Sequence, residues 1–274
     1  MVKILTEEIK PFYVINESLH QLPVVISIPH SGEYIDQAMA DKLINNTILP
    51  NTDWYLPKLY AFLKDLGFTI IVNNINRHLI DVNRSLEGLN SRTYKVNPIY
   101  PQTTQQKRLY QKKLSQEEKE LRINNYYRPY HQAINQAIKE KQKHFDHVYL
   151  IDLHSFGLDH QSNVILGNDF DHACSYNTIS FFEKLFQKND LSVVQNYPFA
   201  GGYITKHYGK IDNCEALQIE LWYRCYIDER RFGNEELPEI NEEIFKQTQA
   251  KLEQVFLTFK EHLLQTRWKN NAKK

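Results

Sequence analysis

Three short runs of apolar residues set the terms on which this chain can fold. They are Val24-Val-Ile-Ser-Ile28, Phe68-Thr-Ile-Ile-Val72 and His147-Val-Tyr-Leu-Ile-Asp-Leu-His154. A strand with one wet face alternates apolar and polar residues. These runs are nearly continuous, as in strands buried on both faces, and such sheets are usually parallel. Between the first two, Leu56, Leu59, Tyr60, Leu63 and Leu66 recur at helical spacing. Thr52 or Asp53 stands where a cap would, and Gly67 closes the helix. Strand, helix, strand implies right-handed βαβ units. Further strands are expected at Asn163-Val-Ile-Leu166, Ser192-Val-Val194 and Ala216-Leu-Gln-Ile-Glu-Leu221, with helices through Ile179–Phe186 and Ile240–Leu264. Ser115 and Glu118 form a capping box before the stripe Tyr126, Tyr130, Ile134, Ile138, and Pro129 predicts a kink there. No repeat, flexible linker or low-complexity block interrupts the pattern. The expectation is one α/β domain over residues 1–274, three layers thick, around a mixed, mainly parallel sheet.

Composition narrows the function. The 33 basic and 33 acidic residues among 274 balance, which gives no reason to expect nucleic acid or an anionic membrane as partner. The basic cluster Arg267-Trp-Lys-Asn-Asn-Ala-Lys-Lys274 reads as a solvated terminus. Cys174, Cys214 and Cys225 make neither a disulfide framework nor a C-x-x-C metal spacing, so a reducing cytoplasm is expected. The first ten residues lack a signal h-region, and no apolar run approaches the roughly 20 residues of a membrane span.

Ligands of open α/β sheets bind outside the carboxyl ends of the strands. His30 and His154 each sit just past the end of a buried strand, so they can meet at one ion. Imidazole is a common zinc ligand, and a hydrolytic site often adds a carboxylate and leaves the fourth position for water. Two carboxylates are candidates: Glu33, in the spacing His30-x-x-Glu33, and Asp53, which can instead be a helix cap. Asp152 shares the strand face of His154 and is placed to orient it. His131 and His207 read as packed or exposed side chains, and the other seven of the 11 histidines carry no case beyond composition.

Arg77, Asn83 and Arg84 cluster with Asn76 and Asp81 after the second strand. Arginine grips a carboxylate with two prongs, which suits an acidic substrate; a structural ion pair with Asp81 is the plainer reading. Glu220, on one strand face with Gln218, can serve as a general base or pair with Arg224. Gly201-Gly202 allows close approach of backbone to a ligand. The irregular stretch from Ser85 to Leu114 is long for a loop and is expected to border the site. A nucleophile elbow and the phosphate-binding glycine motifs are absent.

Eight segments, in order, resemble the N-formylglutamate amidohydrolase family: Pro29-His-Ser-Gly32, Thr52-Asp53 with Leu59-Tyr60, Asn76-Arg77 with Asp81-x-Asn-Arg84, Arg128-Pro-Tyr-His131, Asp152-Leu-His-Ser155, Ile165-Leu-Gly167, Pro198-Phe-x-Gly-Gly-Tyr203 and Leu217-Gln-x-Glu220. The resemblance implies a fold like the zinc-dependent exopeptidases and hydrolysis of N-formyl-L-glutamate, or a related N-acyl acidic amino acid, to formate and the amino acid. It implies one divalent metal ion, with zinc expected, held by His30, Asp53 and His154, with Glu33 the alternative to Asp53. Asn83 and Arg84 become the substrate clamp and Glu220 the base; in the mechanism expected from these roles Arg77 joins the metal in stabilising the oxyanion. Pro57 departs from the acidic residue usual in relatives. A carboxypeptidase, a deacylase of longer acyl groups and a non-catalytic metal-binding scaffold are the rival readings.

Overall fold

The structure, a computed structural model, describes residues 3–18, 21–45, 47–227 and 238–271. Its strands are β1 (Lys3–Ile4), β2 (Phe12–Ile15), β3 (Val24–Ile28), β4 (Tyr34–Ile35), β5 (Thr69–Asn73), β6 (Val148–Phe156), β7 (Val164–Gly167), β8 (Val193–Gln195) and β9 (Cys214–Trp222). Its α-helices are α1 (Gln37–Ala40), α2 (Leu56–Leu59), α3 (Gln116–Arg122), α4 (Arg128–Gln142), α5 (Tyr176–Lys188), α6 (Tyr203–Tyr208) and α7 (Glu242–Asn271). Seven strands form one sheet in the order β2-β5-β3-β6-β9-β7-β8. The central run β5-β3-β6-β9 is parallel, β2 and β7 join it antiparallel, and β8 pairs parallel with β7. The sheet is therefore mixed and mainly parallel, as the unalternating strands require.

The pleat sorts the core into two layers. Val24, Ile26, Ile151, Leu153, Leu217 and Ile219 face α2, α5 and α7. Phe256 of α7 sits among the rings of Tyr60, Phe62, Phe68 and Phe182, with centroids 5.9–6.3 Å away. Truncating such a residue to alanine typically costs about 3–5 kcal/mol. On the other face Val25, Val148, Leu150, Cys214 and Ala216 pack against Ile134 and Ile138 of α4 and Ile204 and Tyr208 of α6. That second face changes character along the strands. Continuing with the same parity, Val25 gives way to Ser27, Leu150 to Asp152 and His154, and Ala216 to Gln218 and Glu220, all buried. The polar half lies at the carboxyl ends of three adjacent parallel strands.

Local departures from the expected elements have physical causes. The helix from Leu56 is broken: α2 ends at Leu59 and a 3-10 turn, Ala61–Lys64, follows before Gly67 at φ +84°. Tyr55, in the left-handed region, precedes α2 and supplies no side-chain cap. Asp53 is therefore not the cap of this helix. Pro129 does not stop the helix before it. It lacks an N–H and its ring would crowd the carbonyl four residues back. A π-helical turn, Ile123–Tyr127, absorbs the conflict between α3 and α4, with Arg128 N–H bonded to Ile123 O. The capping box at Ser115 and Glu118 is formed. β6 runs on to Phe156, so His154 lies within the strand rather than past it. Among the described residues no helix is long and apolar enough to cross a membrane.

Candidate metal centre and active site

Each side chain of the site is placed by a different element. β3 ends two residues before His30, and the backbones of His30 and Asp53 are pinned by Asp53 N–H to His30 O at 3.1 Å. Ser31 Oγ donates to Asp53 O at 2.7 Å, and Tyr223 Oη donates to Thr52 O at 2.7 Å. β6 carries Asp152 and His154, and β9 carries Gln218 and Glu220. In the β6–β9 register His154 lies opposite Glu220 and Asp152 opposite Gln218. The turn after β5 delivers Arg77, Asp81, Asn83 and Arg84.

Asp53, His30 and His154 come together with ligand atoms all within 4.8 Å of one another, each residue at most 3% exposed. Asp53 Oδ2 lies 3.1 Å from His154 Nδ1 and 4.0 Å from His30 Nδ1, and it accepts from Ser155 N–H at 3.2 Å. The far nitrogens are held as well. His30 Nε2 is 2.7 Å from Asp81 Oδ1, and His154 Nε2 is 2.9 Å from Asp152 Oδ2. Carboxylates behind both imidazoles fix their tautomers with Nε2–H outward and turn the Nδ1 lone pairs inward.

This donor set fits a cation. A neutral imidazole has one N–H, yet His154 faces a carboxylate at each nitrogen. One of those two contacts needs a positive charge, a second proton or a metal ion. Accordingly, although burial pushes the His154 pKa down, Asp152 and Asp53 hold it well above the ordinary value. His30 falls to about 4, through burial and the charge of Arg77, so its Nδ1 is an uncharged donor. Two imidazole nitrogens and one carboxylate oxygen could hold a divalent metal and leave a fourth position open.

Asp81, the carboxylate behind His30, was weighed in the sequence only as a partner for arginine. It is fully buried. Oδ1 also accepts from Asn83 N–H at 2.8 Å, and Oδ2 accepts from Arg77 at 2.9 Å and from the Tyr100 hydroxyl. Burial raises its pKa, but His30, Arg77 and Arg84 more than reverse this and hold it well below the usual range. The turn signal Asp81-x-Asn-Arg84 could have marked it, since the first residue of such a turn accepts from the backbone two residues on.

Glu33 takes no part in the centre: its Oε2 pairs with Lys3 Nζ at 2.8 Å. Asn83 lines the cavity, and its amide also meets protein groups. Its Nδ2 lies 3.0 Å from His154 Nε2 and 3.4 Å from Asp152 Oδ2, and its Oδ1 accepts from Ile204 N–H at 2.7 Å. A Cβ on Gly202 would stand 2.3 Å from that amide, so the second glycine of the pair makes room for Asn83. Both arginines reach the site. Arg77 uses its terminal nitrogens on Asp81, Tyr100 and Asn51 O, while its buried Nε has no hydrogen-bond partner. Arg84 donates from Nη1 to Asn83 O at 2.8 Å and leaves a buried Nε without one. Glu220, 9% exposed, accepts from Gln218 Nε2 at 3.1 Å. Burial lifts its pKa to about 7, against the pull of His154 and Arg77.

His30, Asp53, Arg77, Arg84, His154 and Glu220 all line one cavity of about 890 Å³. Ser85, Glu87, Gly88, Tyr94, Lys95, Val96 and Thr104 form part of its wall, so the long irregular stretch does border the site. His131 is a packed residue, bonded to Val82 O at 2.8 Å and to Tyr208 Oη at 2.9 Å. The three cysteines are buried free thiols.

The chain is similar to known proteins of one family. The family model described as N-formylglutamate amidohydrolase matches residues 22–227. An N-formylglutamate deformylase of Pseudomonas putida is 31% identical over 229 residues, 77% of this chain and 85% of the relative. An N-formylglutamate deformylase of Pseudomonas aeruginosa is 28% identical over 224 residues, 77% and 84% of the two chains. The crystal structure of N-formylglutamate amidohydrolase from Ralstonia eutropha JMP134 superposes with a TM-score of 0.82 at 23% identity, over 94% of this chain and 100% of that one. It shares the fold described above.

Proposed function

The chain belongs to the N-formylglutamate amidohydrolase family, a family of hydrolases acting on carbon–nitrogen bonds other than peptide bonds, and we propose that it cleaves N-formyl-L-glutamate, or a related N-acyl acidic amino acid, with the help of one divalent metal ion. The observation that carries this reading is the convergence in one cavity of the buried His30–Asp53–His154 group and the uncommitted Nε edge of Arg84. The first can hold a metal and the second a carboxylate. We read residues 1–274 as a single domain, and the three free thiols suit a reducing cytoplasm.

Bound by His30 Nδ1, Asp53 Oδ2 and His154 Nδ1, the ion, zinc by the chemistry of its ligands, would supply Lewis acidity and lower the pKa of water toward about 7. The protein's own residues account for the rest. Arg84 offers Nε–H and its free Nη to a substrate carboxylate in two-pronged fashion. That contact holds the acyl group beside Glu220 and makes the attack effectively intramolecular. Glu220, buried and with a pKa near neutrality, takes a proton from the attacking water and returns it to the leaving amine. Arg77 lines the cavity with an unpaired Nε–H, which suits it to the oxyanion that develops on the acyl oxygen. Asn83 supports the site indirectly by tying the His154–Asp152 pair to α6.

A longer acyl group is favoured by one observation. The cavity is large for so small a molecule, and Tyr94, Val96, Phe156 and Leu158 give its wall an apolar sector, with Val96 48% and Leu158 36% exposed. The deciding experiment is formate release from N-formyl-L-glutamate by protein loaded with zinc and by protein stripped with a chelator, beside N-acetyl, N-succinyl and peptide substrates. Formate release that zinc restores is expected; no hydrolysis of any N-acyl glutamate under any loading would sink the reading.

A further inference from the structure

The motif Arg128-Pro-Tyr-His131 lies on α4, and none of its side chains takes part in the chemistry above. Its geometry nevertheless leads back to the site. Three donors project from α3, the π-helical turn and α4 onto one short stretch of the turn after β5. Arg122 Nη1 donates to Leu79 O at 3.0 Å, Tyr127 Oη to Arg84 O at 2.8 Å and His131 Nε2 to Val82 O at 2.8 Å. In a plain α-helix residue i+5 lies about 140° round from residue i, so Arg122 and Tyr127 would diverge. A turn closed by an i to i+5 bond brings them back to one side. His131, four residues beyond Tyr127, then continues the same column. The other side of the stretch is held by α6, through Tyr203 N–H to Asn83 O at 3.4 Å and Ile204 N–H to Asn83 Oδ1 at 2.7 Å.

We propose that Tyr127 and His131, aligned by the π-helical turn, are positioning residues that set the substrate clamp by gripping the carbonyls on either side of Asn83. The inference rests on the reading of Arg84 as the carboxylate binder. Among the described residues the nearest ion-pair partner of Arg84 is Asp81, at 4.0 Å, and its side chain donates to the neighbouring carbonyl of Asn83. Its direction is therefore set by its backbone, and that backbone is held by Tyr127 and His131. His131 is oriented in turn by Tyr208 Oη on its Nδ1. The metal-facing atoms are carried elsewhere, by the segment just after β3, by β6 and by the segment at Asp53; only Asp81, behind His30, comes from the same turn, and it is held by His30, Arg77 and Tyr100 as well as by Asn83 N–H. Loosening residues 82–84 should therefore weaken substrate binding before it weakens metal binding.

The test uses the full chain loaded with zinc, with Tyr127→Phe, His131→Phe and His131→Gln. The glutamine keeps an N–H donor at similar reach and covers the case in which the phenylalanine variant fails to fold. The expected result for the phenylalanine variants is a KM for N-formyl-L-glutamate raised roughly 5- to 10-fold, the size of one lost neutral hydrogen bond. The kcat should stay within about twofold, zinc content should be unchanged, and hydrogen exchange should be faster in the peptide covering residues 79–84. His131→Gln should move KM back toward the wild-type value. Unchanged exchange across 79–84 would overturn the proposal, and so would faster exchange with KM unaltered or a loss confined to kcat. If the wild-type protein releases no formate, the functional reading fails, and the exchange measurement still decides whether Tyr127 and His131 hold the segment.

Discussion

Replacing Asp81 by asparagine tests whether the carboxylate behind His30 is a support of the metal centre or an ordinary ion pair. The substitution changes almost no volume, so its effect is electrical and directional. Asp81 accepts at both oxygens, from His30 and Asn83 N–H on one side and from Arg77 and Tyr100 on the other. An amide accepts at one end only. Whichever way it is turned, its NH2 faces donors, and Arg77 loses its buried countercharge. Breaking a buried pair in this way costs about 3–5 kcal/mol, against a total stability of about 5–15 kcal/mol for a typical domain. Loss of the partner behind a metal-binding histidine lowers metal affinity by about 10- to 100-fold. Asp81→Asn should therefore lower the urea midpoint of the zinc-free protein, and competition with a chromophoric chelator should show zinc affinity down by at least tenfold. A variant that denatures within about 0.5 kcal/mol of the wild type, the usual scale of a neutral surface change, and binds zinc as tightly would refute the reasoning.

Glu220→Gln should keep its zinc and lose turnover by about 10²- to 10⁴-fold, the range for removing a general base; near-normal turnover removes Glu220 from that role. Asp53→Ala should purify without zinc and Glu33→Ala with it, read by elemental analysis; the reverse pattern would make Glu33 the ligand. Arg84→Lys should raise KM for N-formyl-L-glutamate by about tenfold or more, because lysine keeps the charge but not the two-pronged geometry; an unchanged KM argues against the clamp. Glu215 on β9 has its carboxylate pKa lowered to about 2: burial raises it, but His147, Thr178 and Ser175 outweigh that. A depressed folded pKa contributes stability above the unfolded value of 4.5, and that contribution is lost as pH falls toward 2. Glu215→Gln should therefore flatten the acid limb of stability against pH in that window, and an unaltered limb would count against it.

How much of this was legible beforehand differs from residue to residue. The continuous strands disclosed a doubly covered, mainly parallel sheet because burial on both faces writes itself into every position. β2 was missed, since Phe12-Tyr-Val-Ile15 is an edge strand with its residues only partly buried or exposed, and four such residues carry little pattern. His30 and His154 could be named because strand ends are predictable places. Asp53 could not be separated from a helix cap, because the difference lies in the chain's return to Ser155 and His154, about 100 residues on in sequence. Asn83 shows what residue type and spacing leave out. Its type and spacing suggest a ligand clamp, and they do not disclose that its amide also meets Asp152, 69 residues away, and Ile204, 121 residues away. Pro129 predicted a disturbance of the helix. That the disturbance takes the form of an extra residue in one turn is not written in the proline alone; that turn aligns donors with the carbonyls of residues 79–84.

The change from apolar to polar along one face of β3, β6 and β9 ties assembly to chemistry. A side chain's face on a strand is set by parity, so a slip of β9 by one residue would turn Glu220 toward the aromatic layer of α7 and put Leu221 in the cavity. The same slip would expose Ile219 and Leu217 to α4 and α6, whose surfaces are shaped for alanine and cysteine. A sheet that has found its lowest-energy register has thereby put its acid and its histidine side by side. Sorting of the hydrophobic layers thus acts as a proofreading step for the active site, because a slip that turns Glu220 to the wrong face turns the core residues beside it to the wrong face as well.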